Sequence, residues 1–132
     1  MPDVTPTTWP GKVSNLTLFT EDLDGTRSFY RRVFGLQPVF EDADSSVYRF
    51  PNIQVNLLRA TAVPELIEPA QLASPDSGVR FQITVDVEDV DAVCGELARQ
   101  GATLLNGPID RPWGVRTASF RDPAGHVWEI AH

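Results

Sequence analysis

The sequence predicts an α+β domain made of two tandem β-α-β-β-β modules, and three observations lead there. An acidic helix-opening motif occurs twice, as Glu21-Asp22-Leu23-Asp24 and as Glu88-Asp89-Val90-Asp91. Each copy follows an alternating strand-like run and precedes an apolar helical stripe that ends at a glycine, Gly35 or Gly101. After each helix come short apolar runs separated by turn residues, the pattern of consecutive strands.

The elements follow in order. Residues 1–11, with Pro2, Pro6 and Pro10, read as an irregular arm in which Trp9 is the one large aromatic and is expected to pack. Residues 13–19 alternate, so they read as a strand with Leu16 and Leu18 on one face and Asn15, Thr17 and Phe19 on the other. Asp22 or Asp24 caps the first helix, whose stripe is Phe29, Tyr30 and Val33. Strands are expected at 37–41, 46–50 and 53–59, with Pro51-Asn52 turning the chain between the last two. Residues 60–78 carry Pro64, Pro69 and Pro75 and read as a linker holding one short helical turn.

The second half repeats this order. A strand is expected at 79–87. The helix carries Val90, Val93, Cys94 and Leu97 at i, i+3, i+4 and i+7. Strands are expected near 103–105, 115–120 and 127–130, the last two joined by the Asp122-Pro123-Ala124-Gly125 turn. Module 1 thus spans about 12–60, the linker about 61–78 and module 2 about 79–132, in one domain of 1–132. One helix covers one face of each sheet. The other face must find a different partner or enclose a ligand.

Composition narrows the function. A net charge of −7 argues against nucleic acid and anionic membranes as partners, since both need a basic patch. No apolar run approaches the roughly 18 residues of a membrane span. The start lacks the basic-then-apolar pattern of a signal peptide, and the single Cys94 forms no internal disulfide, so a cytoplasmic protein is expected.

The helix-opening segments at 20–36 and 87–102, the Pro112-Trp113-Gly114 loop and the final hairpin at 120–130 resemble the vicinal oxygen chelate superfamily. That superfamily includes glyoxalases, bleomycin-resistance proteins and extradiol dioxygenases. The resemblance implies that the modules form a curved mixed sheet with a concave ligand cleft. It also implies four ligand positions on the concave faces, here Asn15, Asn56, Gln82 and Glu129. One carboxylate and three neutral amides are a weak donor set for a transition metal, so neither a metal nor a cofactor is expected. Glyoxalase, dioxygenase and fosfomycin-transferase activities are disfavoured for the same reason.

The residues expected to bind ligand are Asn15, Thr17, Phe19, Asn56, Gln82, Thr84, Trp113 and Glu129. Trp113 is placed to stack on a flat molecule at the cleft mouth, with packing on a neighbouring subunit as the alternative. No catalytic residue is assigned; Glu129 would act as base if the protein were an enzyme, and is otherwise an acid hydrogen-bonded to Gln82 or Asn15. Trp128, opposite in parity to Glu129, belongs to the core. His126 reads as a solvated turn residue and His132 as inert. Arg49 and Arg116 read as surface ion-pair residues, and Cys94 as a buried, inert thiol. The expected function is metal-free sequestration of a bulky aromatic small molecule. An antibiotic of bleomycin, mitomycin or enediyne type is the leading ligand, with self-resistance the outcome. The alternatives are a divergent lyase, isomerase or dioxygenase using Glu129, and a non-catalytic accessory protein of natural-product biosynthesis. A homodimer is expected, because much sheet surface remains to be covered.

Overall fold

The computed structural model describes residues 10–132. The expected docking of Trp9 lies outside them. Strands β1 (Asn15–Thr20), β2 (Phe40–Glu41), β3 (Ser45–Arg49) and β4 (Gln54–Arg59) form one four-stranded sheet in the order β1-β4-β3-β2. Strands β5 (Gln82–Asp86), β6 (Leu104–Asp110), β7 (Arg116–Arg121) and β8 (Val127–Ala131) form a second in the order β5-β8-β7-β6. In each sheet the first and last strands of the module pair in parallel and the others pair antiparallel. The sequence repeat is therefore a repeat of topology.

Helix α1 (Leu23–Phe34) starts where the Asp22 carboxylate accepts from the Gly25 N–H, and it ends at Gly35 with φ 65°. Helix α3 (Val90–Arg99) starts in the same way, with Asp89 accepting from the Ala92 N–H. Gly101, with φ 83°, lies just beyond its end. The linker holds helix α2 (Pro64–Ile67) and 3-10 turns at Ala60–Ala62 and Pro75–Ser77.

Three strands differ from the sequence reading, and of these β5 covers only Gln82–Asp86 of the expected 79–87 run, since Val79 and Phe81 are exposed and bury nothing. Strand β2 keeps only two residues of the expected 37–41 run, and both are exposed. An edge strand that buries nothing gains little from pairing further. Strand β6 is longer than expected and carries two register shifts around Gly107-Pro108. Gly107 has φ 92°, and a Cβ there would lie 2.5 Å from the Thr117 carbonyl oxygen, so only glycine fits this close crossing.

Helix α1 lies between the two sheets. The Tyr30 ring is 5.3 Å from Tyr48 of the first sheet and 5.9 Å, edge-on, from Trp128 of the second. Phe34 is 4.7 Å from Trp128, and Phe29 is 6.3 Å from Phe120. One continuous core joins both modules, with Trp128, Tyr30 and Leu57 fully enclosed. Helix α3 packs on β6 and β7, with Cys94 buried on its inner stripe.

Strand parity does the rest. On the helix side of the first sheet stand Leu16, Leu18, Tyr48, Val55 and Leu57, and on that of the second Ile83, Val85, Phe120, Trp128 and Ile130. The opposite faces are largely polar. Because α1 touches the apolar side of both sheets, both polar faces point away from it, towards the outside of the chain.

Candidate functional site

On the first sheet the polar face is built around Thr17 and Asn56, which are paired across β1 and β4. Asn15 Nδ2 donates to Thr17 Oγ1 at 3.1 Å. Asn56 is half-buried, and its Oδ1 is enclosed without a protein donor. An enclosed acceptor left unpaired costs about 1–3 kcal/mol.

The second sheet repeats the pair as Thr84 and Glu129. Thr84 Oγ1 donates to Glu129 Oε1 at 3.0 Å. The expected structural partners of Glu129 were Gln82 or Asn15; the partner is Thr84, because the parallel register sets those two residues side by side. Gln82 Nε2 instead reaches Ser119 Oγ at 3.4 Å, a long bond. Arg111 Nε donates to Thr117 Oγ1 at 2.9 Å and its Nη2 to Asn106 Oδ1 at 3.1 Å. The register places Thr117 and Asn106 on the same face as Ser119 and Glu129. Arg111 is thus a cation held on the polar face of the second sheet. The sequence reading passed over it in favour of its neighbour Trp113; its signal was only its place beside the Pro-Trp-Gly loop.

The structure divides the eight expected ligand residues. Asn15, Thr17, Phe19 and Asn56 belong to the first sheet, and Gln82, Thr84 and Glu129 to the second. The chain by itself does not fold the two polar faces over one another. Trp113 sits on the β6–β7 loop and is 70% exposed. Asn15 lines an open groove at the start of β1 with Arg49, Phe50 and Gln54, about 350 Å³ in volume. Phe19 lines a different groove at the other end of β1, of about 230 Å³, with linker residues, Phe81 and His126.

The four positions that the resemblance implies, Asn15, Asn56, Gln82 and Glu129, do not make a donor set for a transition metal. Three of the four are amides, the one carboxylate is engaged by Thr84, and the set is split between two outward faces. Among the described residues no group of three or more His, Cys, Asp or Glu gathers to hold an ion.

The remaining singled-out residues take structural places. Arg116 pairs with Asp91 and Asp110, both at 2.9 Å, as a surface ion-pair residue. Burial, then the Asp91 charge, pushes the Cys94 thiol above its ordinary range, which disfavours the thiolate. His132 Nδ1 lies 3.0 Å from the Val87 carbonyl oxygen. Trp128 is fully buried. His126 is not a solvated turn residue: its side chain is 16% exposed and its Nδ1 lies 3.1 Å from Asp122 Oδ2. The sequence reading treated Asp122 only as the head of a turn. Its carboxylate is fully enclosed and also accepts from the Tyr30 hydroxyl at 2.8 Å and the Ala124 and His126 N–H groups at 3.0 and 2.9 Å.

Comparison with known proteins places this geometry. YraH of Bacillus subtilis (strain 168), itself uncharacterized, is 28% identical over 123 residues, covering 90% of this chain and 96% of YraH. The anthracycline biosynthesis protein DauV of Streptomyces sp. (strain C5) is 27% identical over 124 residues, covering 92% of this chain but 41% of DauV. A glyoxalase/bleomycin resistance protein/dioxygenase from Nocardioides shares the fold with a TM-score of 0.84 at 24% identity, covering 95% of this chain and 85% of that one. Among the described residues no helix is long and apolar enough to cross a membrane. With residues 12–130 matching its family model, the chain belongs to the Glyoxalase/Bleomycin resistance protein/Dioxygenase superfamily.

Proposed function

We propose that the protein is a binding protein for a planar aromatic natural product, held between the polar sheet faces of two copies and released unchanged. The observation that carries this reading is the pair of outward polar faces, rich in amides and hydroxyls. Amides and hydroxyls orient the oxygens of a ligand, and a stacked aromatic ring supplies affinity; neither transforms it. Arg111 adds a fixed cation for a ligand carbonyl or phenolate. The name of DauV, an anthracycline biosynthesis protein, supports a polycyclic aromatic ligand and a role beside antibiotic production. A homodimer completes the site in this reading, since a face of one module then meets the other module of the second copy.

The test is a fluorescence titration with an anthracycline, a mitomycin and bleomycin. Trp113→Ala should weaken the best ligand by roughly tenfold, because a stacked ring contributes about 0.5–1.5 kcal/mol beyond the area it buries. Glu129→Gln should change affinity by less than this for a neutral ligand. Chemical conversion of the ligand, abolished by Glu129→Gln, would instead establish the enzyme reading with Glu129 as base.

A further inference from the structure

Of the residues on the polar sheet faces, the groove at the far end of β1 takes only Phe19. It lies where the linker crosses from one module to the other, and Phe19, Ile67, Leu72 and Phe81 give it apolar walls. We propose that it is a second ligand site, for a one- or two-ring aromatic molecule carrying one ring hydroxyl or N–H.

Size sets the first limit. An apolar cavity of about 150 Å³ holds one benzene, and drug-sized ligands need about 300–1,000 Å³. At about 230 Å³ this groove takes one ring or two fused rings. It is too small for the polycyclic ligand proposed for the sheet faces.

His126 sets the chemistry. Its Nδ1 faces both oxygens of the Asp122 carboxylate, at 3.1 and 3.2 Å. A carboxylate only accepts, so Nδ1 carries the hydrogen, and in the neutral form of the ring the lone pair then stands on Nε2. Asp122 is itself fixed by Tyr30, Trp128 and two backbone N–H groups, so the ring orientation is set by the core. Among the described residues nothing bonds to Nε2, and the ring lines the groove 6.4 Å from Phe81. With the ring in that form, the groove offers a preset acceptor beside aromatic walls. Glu21 and Arg80 line it too, with opposite charges that offset one another. A neutral ligand with a donor suits this lining better than a carboxylate or an amine.

The probes are phenol, which keeps its hydroxyl proton at neutral pH, and its methyl ether anisole, which has the same ring and no donor. They are titrated into nitrogen-labelled protein and followed by two-dimensional NMR. Saturable shifts of the Phe81, Gly125 and His126 amides are expected with phenol. The ether should bind about fivefold more weakly, the worth of one net hydrogen bond. In His126→Phe the two probes should bind equally, and in Phe81→Ala both should weaken. Three results overturn the proposal: no shifts at millimolar probe, equal binding of both probes to the unsubstituted protein, or shifts centred on Thr84 and Glu129.

Discussion

Asp122 ties the two modules together one side chain at a time. Its carboxylate accepts from Tyr30 of the first module and from Trp128 and His126 of the second, at the head of the turn that the sequence shows only as Asp-Pro-Ala-Gly. The turn was legible because Pro and Gly have fixed backbone preferences. The network was not, because Tyr30 lies far away in sequence and nothing local signals it. Tyr30→Phe should destabilise the protein by about 1.5–3 kcal/mol, the usual worth of a hydrogen bond to a charged group, as read from urea denaturation. Burial, then the neighbouring Asp122 charge, raises the Tyr30 phenol well above its ordinary 10.0. A raised folded value favours the protonated form in the native state. This stabilisation is fully present below about pH 10 and is lost as pH rises through the folded value. Unfolding midpoints should therefore fall more steeply above about pH 10 in the native protein than in Tyr30→Phe; equal slopes would remove Tyr30 from the account.

The helices were the most legible elements, for a physical reason. Each begins at an aspartate whose side chain caps it, followed by an apolar residue, Leu23 or Val90, that is buried at once. Capping and burial are local signals, so both starts could be read from a few residues. Asp22→Ala and Asp89→Ala should each cost about 1 kcal/mol, and the double variant about the sum, since the caps share no partner. Thermal melts of the three variants check this, and a single variant without effect would deny that cap its role. Strands β2 and β6 were read less well. The end of β2 is decided by whether a neighbour rewards pairing, and the bulged path of β6 by the approach of Gly107 to Thr117. Both are tertiary facts.

For the whole molecule, parity correctly separated apolar from polar faces. That is why Asn15, Thr17 and Asn56 share one surface and Gln82, Thr84 and Glu129 another. Parity carries no information about how two sheets sit relative to each other. The packing of α1 against both apolar faces turns the polar ones outward, and a single chain leaves them open. The central claim is that two copies close these faces over an aromatic ligand without reacting with it. Native mass spectrometry of the protein with an anthracycline reads assembly, stoichiometry and ligand mass together. The account predicts ligand on a two-chain species, at a mass equal to two chains plus the unaltered ligand. Ligand found only on single chains, or a ligand mass change that disappears in Glu129→Gln, would contradict it.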